Sequence, residues 1–340
     1  MIGSRMVKRK KVVVIGGGTG TYSTLLALKN LPVSITAVVS MADSGGSNRI
    51  LRDEFGLLPT SDIRQAMVAL ASPDANSLLR QLFAYRYNHG TGITGMTFGN
   101  LFMAALTDIL GSQTKAIRAT CKLLKVRGRV IPVTFDNAHL LAKYANGKQV
   151  LGEHQIDEPG ENQGKYPIVC LEMVPQVKVN SQAVKAILEA DYAVIPPGDL
   201  YTSIICNFLV EGISQALQKS PAKKIYFVNL MTRFGQTNNY KVSDHVDEIL
   251  KYLNAEILDY VIVNSNQRLP TAIQARYTSE KAKLTKDDLK SKKSYRKAQI
   301  LRSDLVSELI YQKTDSDKLL RSLVRHDPVK MAVVFSRIIV

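Results

Sequence analysis

Four β-branched residues in a row, Val12-Val13-Val14-Ile15, lead directly into Gly16-Gly17-Gly18-Thr19-Gly20-Thr21. Such an unbroken run suits a parallel strand covered on both faces. Leu25, Leu26 and Leu28, in the stretch 22–31, have the spacing of a helix packed on that strand. Strand, glycine turn and helix form one unit. Glycines let the backbone approach a ligand closely, and the free N–H groups at a helix start favour an anion. The segment therefore predicts a phosphate cradle built from Gly16, Gly17, Gly18, Thr19, Gly20 and Thr21.

Two standard phosphate loops do not fit. A dinucleotide turn needs a third glycine, but Thr21 and Ser23 stand where it belongs, counted from Gly16 or from Gly18. A Walker loop needs Gly-Lys-Ser/Thr, which does not occur here. An NAD-dependent oxidoreductase stays as an alternative that this fingerprint disfavours. A tight strand-to-helix turn with no ligand is the other.

With 340 residues and 45% apolar content, the chain can bury one large core or two modest ones. The basic stretch 1–11 precedes apolar residues soon broken by glycine, unlike a signal peptide core. No run approaches the ~18 apolar residues of a spanning helix. A cytoplasmic protein without a transmembrane segment is expected. Cys121, Cys170 and Cys206 lack any C-x-x-C spacing and read as small core residues rather than disulfide or zinc partners. The net charge of +16 is concentrated between 268 and 325, where Lys281, Lys283, Lys286, Lys290, Lys292, Lys293, Arg296 and Lys297 read as a solvated helical face. No nucleic-acid-binding pattern accompanies them, so no specific nucleic-acid partner is expected.

Alternating strands and helices place the chain in the α/β class. Further strands are expected over 35–40, 192–198, 225–230 and 260–264, and the loops after them form the functional edge, where ligands collect in open α/β sheets. Between 127 and 179 short β runs, 130–135 and 168–174, alternate with turns at Asn146-Gly147 and Pro159-Gly160, which predicts a β-rich insertion at about 127–180. A basic helical segment is expected at about 268–325.

Site candidates cluster in these loops. Asp43, beside Ser44, Gly45 and Gly46, would hold a divalent cation, a ribose or an acceptor hydroxyl, with Arg49 and Arg52 meeting phosphate oxygens; an Asx turn followed by a helix is the alternative. Asp62 either caps an amphipathic helix or joins Asp43 at a hydroxyl or cation. Asn100 opens another helix and offers an amide to ligand or backbone. Gly198, Tyr201, Thr202 and Ser203 outline a second anion pocket, and Thr232, Arg233 and Gln236 would read a base or sugar or form a plain polar loop.

Taken in order, the two glycine loops, Leu58-Pro59-Thr60-Ser61-Asp62, Phe98-Gly99-Asn100, Ile195-Pro196-Pro197-Gly198-Asp199, Asn229-Leu230-Met231-Thr232-Arg233, Ser243-Asp244-His245, Arg276-Tyr277 and Arg325-His326-Asp327-Pro328 closely resemble the CofD-like superfamily, and within it the YvcK-type branch of gluconeogenesis factors. The resemblance covers nearly the whole chain. It implies a Rossmann-like three-layer α/β/α sandwich in a single domain, 1–340, and a site for a nucleotide diphosphate compound.

For the YvcK branch it implies binding of a UDP-sugar and support of central carbon metabolism, cell-wall synthesis and cell shape, with Tyr277 and Arg325 near the sugar-nucleotide pocket. For the CofD branch it implies Mg²⁺-assisted transfer of a phospholactyl group from a guanosine diphosphate donor to a deazaflavin hydroxyl, with Asp43 and Asp62 as catalytic candidates and Asp43 on the metal. The ligand is then a UDP-sugar or a guanine nucleotide. Expected partners are that small molecule, a cell-envelope or metabolic protein and, where the chain self-associates, a second copy in a homo-oligomer.

The chain departs from the family pattern at Thr60-Ser61, where Pro-Gly is usual ahead of a retained acid, Asp62, and at three further positions. Asp43-Ser44 stands where two aspartates are common, Asp199 where a serine faces phosphate, and Met96 where a histidine precedes the Gly-Asn motif. The first removes a metal ligand, the second sets an anion toward phosphate and the third leaves no histidine acid or base there; the binding reading, which needs no general base, is preferred.

Overall fold

The structure, a computed structural model, describes residues 9–42, 45, 48, 50–52, 56–73, 77–268, 271–308 and 323–340. Its first strand, β1 (Lys10–Gly16), carries the β-branched run, and Val12, Val13, Val14 and Ile15 are each at most 1% exposed. That is the two-sided cover the run requires. On one side β1 pairs in parallel with β2 (Val33–Val39), with Val12 opposite Ile35. On the other it pairs in parallel with β7 (Tyr192–Ile195), with Val12 opposite Tyr192.

From β1 the sheet grows both ways. Beyond β2 lies β3 (Arg129–Pro132); beyond β7 lie β8 (Lys223–Phe227), β9 (Tyr260–Asn264), β11 (Ala298–Ser303) and β10 (Ser294–Tyr295), giving the order β10-β11-β9-β8-β7-β1-β2-β3. Only the β10–β11 pair is antiparallel. Helices flank the sheet in two packed sets. Gly18–Lys29 packs with Ser61–Leu70 and Pro328–Ile339, while Ser181–Leu188 and Val242–Leu253 pack on Ile213–Lys219. The fold is a Rossmann-like α/β sandwich, and its buried apolar residues form one main core with a small satellite at Leu51, Met96 and Ala104.

Two expected boundaries shift. The β-rich insertion is a separate three-stranded antiparallel sheet, β4 (His139–Tyr144), β5 (Gln149–Leu151) and β6 (Ile168–Val174), in the order β5-β4-β6. The run at 130 is instead β3, an edge strand of the main sheet, because Val38 and Val39 of β2 offer it a parallel partner. Among the described residues of the basic stretch expected to be helical, the helix runs over Thr271–Ser279. Downstream, the period-two burial of Ala298 and Ile300 draws the chain onto β9, with Ile300 opposite Val261, and Arg296 and Lys297 turn the β10–β11 hairpin at φ of 46° and 68°. The lysines from 281 to 297 therefore sit largely on irregular chain and a sheet edge.

The insertion is tied to the body. The Leu171 N–H donates to the Tyr252 hydroxyl at 2.7 Å, and Lys251 Nζ donates to the Val169 carbonyl at 3.2 Å. Cys121, Cys170 and Cys206 are all free, as expected, although only Cys206 is fully in the core. No helix among the described residues is long and apolar enough to cross a membrane.

His245 lies wholly inside, edge-on to the Tyr240 ring, with no hydrogen-bond partner at either ring nitrogen. Burial pushes its pKa down to about 3. Below the unfolded value of 6.5 the unfolded chain takes up a proton that the folded chain does not, so this residue removes stability as the pH falls. Relative to wild type, His245→Phe should gain about 1.4 kcal/mol for each pH unit between roughly 6 and 4. Urea midpoints of the two proteins across that range check this, and parallel curves would contradict it.

Candidate functional site

The pairing of β1 with β7 brings their two outgoing turns into contact. A Cβ on Gly16 would stand 2.6 Å from Pro196 Cγ, and one on Gly20 would run into the Pro197 carbonyl oxygen. Gly18 has a φ of 67°, a conformation that glycine adopts readily. The turn after β7 is held in turn by Asn229, at the end of β8. Its Oδ1 accepts from the Gly198 N–H at 3.1 Å and its Nδ2 donates to the Gly198 carbonyl at 2.6 Å.

The helix Gly18–Lys29 starts at Gly17, which has no side chain to cap it. Asp62 supplies the cap from a neighbouring helix, its Oδ1 accepting from the Gly18 N–H at 3.0 Å. A carboxylate at the positive end of a helix is favourable by roughly 0.3–1 kcal/mol. The expectation that Asp62 caps its own helix is thus corrected: Ser61–Leu70 begins at Thr60 without a side-chain cap, and its acid is turned toward the glycine loop because the two helices pack together.

Beyond these turns, outside the carboxyl ends of the strands and at the point where strand order reverses, lies a cavity of about 520 Å³. Its walls include Gly18, Thr19 and Gly20 of the first turn, Gly198, Thr202 and Ser203 of the second, and Thr232 and Arg233 after β8. Tyr277, Arg325 and His326 close another side. The Tyr277 hydroxyl accepts from the Leu323 and Val324 N–H groups at 3.0 and 2.9 Å, which places the chain leading into Arg325.

The insertion completes the wall through its short helix Glu153–Asp157. Arg233 Nη2 donates to Asp157 Oδ2 at 2.9 Å and to the Asp157 carbonyl at 3.2 Å. Gln236 Nε2 donates to Asp157 Oδ1 at 2.9 Å, with the Thr202 hydroxyl at 3.5 Å. Removal from water, then the charge of Asp199, push the Asp157 carboxyl up to about 7 against the pull of Arg233. Burial works against the Arg233 charge, but Asp157, Asp199 and Glu158 outweigh it and raise its pKa.

This geometry has counterparts in other organisms. The family described as 2-phospho-L-lactate transferase CofD matches residues 12–306. The chain belongs to the CofD family. The gluconeogenesis factor of Bacillus subtilis is 36% identical over 328 residues, covering 96% of this chain and 97% of its own. A Thermotoga maritima relative is 40% identical over 329 residues, covering 96% and 99%. The crystal structure of a UPF0052-family protein from Bacillus halodurans superimposes with a TM-score of 0.85 at 34% identity, over 97% of this chain and 99% of that one.

In this CofD-family chain many of the residues singled out by sequence share the cavity: Gly18, Thr19, Gly20, Gly45, Asp62, Gly198, Thr202, Ser203, Thr232, Arg233, Tyr277 and Arg325. Others stand behind it. Gly16, Gly17 and Thr21 shape the first turn, where the Thr21 hydroxyl donates to the Gly17 carbonyl at 2.8 Å. Asn100 is fully buried, accepting from Arg64 Nε at 2.9 Å and donating to the Ser61 hydroxyl at 3.0 Å, so it braces the helix that carries Asp62. Tyr201 points into the core, where its hydroxyl meets the Tyr240 hydroxyl at 2.9 Å and donates to the Glu248 carboxylate at 3.0 Å. Gln236 reaches the site through Asp157.

Asp43, Ser44, Gly46 and Arg49 lie outside the described residues. Among the described residues no three His, Cys, Asp or Glu side chains gather as a metal ligand set. Sequence reasoning missed Asp157, Asn229 and His326 as wall or support residues. Asn229 and His326 stand inside quoted motifs, whereas nothing local ties Asp157 to the pocket. Gly20→Ala should destabilise the fold by roughly 1–3 kcal/mol, since the added methyl meets a backbone carbonyl rather than a yielding side chain. Chemical denaturation checks this, and a midpoint equal to wild type would contradict the close approach of the two turns.

Proposed function

We propose that the cavity binds a nucleoside diphosphate compound, with a UDP-sugar as the leading class, and that the protein acts by binding it rather than consuming it. The observation that carries this reading is the meeting of two glycine turns at one cavity, with Arg233 and Arg325 in its walls. Backbone N–H groups at Thr19 and Gly20, in the first turn of a helix, suit one phosphate, and the segment Gly198–Ser203 suits the other. A volume of about 520 Å³ falls within the roughly 300–1,000 Å³ of small-molecule pockets. Tyr277 and Arg325, which line the same cavity, would face the sugar or base.

Binding without turnover is favoured by the engagement of Asp62. Its carboxylate is hydrogen-bonded to the Gly18 N–H, which suits a structural cap better than a base that takes a proton. On this reading the protein is a regulatory gluconeogenesis factor whose ligand-bound form meets a cell-envelope or metabolic partner and links carbon supply to cell-wall synthesis and cell shape.

A second reading, phospholactyl transfer from a guanosine diphosphate donor to a deazaflavin hydroxyl, is favoured by the family description and by the Asp157 carboxyl poised near neutrality. There the helix starts and arginines would stabilise charge on the bridging and leaving oxygens. Mg²⁺ would supply further charge neutralisation when bound, and the residue assigned to it, Asp43, lies outside the described residues. In that case Asp43→Asn should lose turnover and keep nucleotide binding; unchanged turnover would remove Asp43 from the mechanism.

Thermal-shift and calorimetric titration against UDP-N-acetylglucosamine, GDP, GTP and NAD, each with and without Mg²⁺, separates the readings. A ligand at a hundredfold excess over its dissociation constant should stabilise by ~2.7 kcal/mol. Selective, saturable UDP-sugar binding without product is the expected outcome. Guanine nucleotide binding that strengthens with Mg²⁺ would put the transferase first, and selective NAD binding would overturn both.

A further inference from the structure

The cavity is an unusual place for an anion, because carboxylates outnumber arginine and lysine among its described lining residues. Asp62, Glu153, Asp157, Glu158, Glu161, Asp199 and Glu280 face a space whose cationic side chains are Arg233, Lys281 and Arg325. A diphosphate entering here meets negative charge that something must offset. The strongest opposing pair is already engaged, since Arg233 is bonded to Asp157 at both the side chain and the carbonyl. Both side chains are about four-fifths shielded, at 21% and 19% exposure.

We propose that Asp157 is the positioning residue of this site: carried in by the insertion, it holds Arg233 at the cavity wall, shares it with the arriving phosphate, and takes up a proton as the ligand's charge enters. The inference rests on the reading of the cavity as a diphosphate site and deepens it.

Three features support this assignment. Asp157 comes from a different part of the chain than the groups that grip it, so its place is set by the interlock of the insertion with the loop after β8. Gly164 packs against the Phe234 ring, Gly235 against Pro159, and Asn238 Nδ2 donates to the Gly164 carbonyl at 2.6 Å. Arg233 is thereby presented by a braced ion pair rather than by a free side chain.

The surroundings of Asp157 also set the direction of proton movement. Asp199 faces it from the turn after β7, Arg233 from the loop after β8, and Glu158 from its own segment. Glu153 and His154 of its own helix, Glu161 of the insertion, Asp62, Glu280 and Lys281 after Thr271–Ser279, and Arg325 and His326 line the same cavity. Among these groups only Arg233 makes a salt bridge to Asp157, and a phosphate that draws on Arg233 weakens that support while adding negative charge. Both effects favour the neutral carboxyl. Finally, burial and the nearby Asp199 charge already push the carboxyl up in the free protein, so added negative charge acts on a group disposed toward protonation.

The test is a carbon-13 NMR titration of the aspartate carboxyls of the full chain, with the Asp157 signal identified by its loss in Asp157→Asn. It is run with and without inorganic pyrophosphate and with UDP-N-acetylglucosamine. Calorimetry of the same probes, at about pH 6 to 8.5 in two buffers of different ionisation heat, reads proton uptake directly. The expected result is an Asp157 midpoint near neutrality that moves up on binding. Affinity should fall by up to about tenfold per pH unit above the free-protein midpoint. Both the uptake and the pH slope should vanish in Asp157→Asn, whereas a residue that only stabilises the fold would leave them unchanged.

A free-protein midpoint in the ordinary carboxylate range overturns the inference and leaves the diphosphate reading standing. Proton uptake of equal size in Asp157→Asn, or a bound ligand that leaves the midpoint in place, does the same. Failure of both probes to bind removes the diphosphate reading itself and the inference with it.

Discussion

The arrangement depends on one adjacency, the parallel pairing of β1 with β7 in the middle of the sheet. It makes β1 the point where strand order reverses, and it forces two outgoing turns to share the same few ångströms. Gly16 and Gly20 admit Pro196 and Pro197 because they carry no Cβ, and Asn229 fixes the Gly198 peptide from both of its polar ends. Once the turns are locked, the helix starting at Gly18 and the segment beginning at Asp199 must open toward the same space. The cavity follows from backbone geometry before any ligand-facing side chain is considered.

Around that frame the chain balances charges that would otherwise repel. Asp62 is satisfied by a helix end and Asp157 by Arg233, Gln236 and Thr202. The insertion matters because it supplies one of these acids and because its own docking relies on the same loop that carries Arg233. The small sheet β5-β4-β6 is tied to the body elsewhere as well, where the Tyr252 hydroxyl accepts from the Leu171 N–H. The Tyr277 hydroxyl does comparable work, accepting from two successive N–H groups just ahead of Arg325.

The local grammar of the chain was legible to an instructive degree. The run Val12–Ile15 reads as a doubly covered strand because only burial on both faces tolerates it, and the glycines after it read as a close-approach turn. The turn Asn146-Gly147 likewise marks the β4–β5 hairpin, where the Asn146 side chain accepts from the Lys148 N–H at 3.1 Å. Ordered motifs along the chain carried the family. Less legible was anything that depends on which elements become neighbours. Asn100, whose amide the sequence offered to ligand or backbone, is drawn inside by Arg64 and Ser61, and Tyr201, one residue from cavity-lining Thr202, turns the other way into Tyr240 and Glu248.

By itself the sequence determined the α/β class, the central strand with its glycine turn, the family and most of the loops that border the cavity, because these follow from short-range periodicity, from residues suited to one backbone conformation, and from motif order. Only the tertiary structure decided which acid caps which helix, that β3 joins the main sheet, that the lysine-rich stretch is mostly irregular chain leading to a sheet edge, and that Asp157 reaches Arg233 from the insertion, 76 residues away in the chain. The physical reason is that a carboxylate's role is set by the donors around it in space, and those donors come from segments whose spacing along the chain carries no record of their contact.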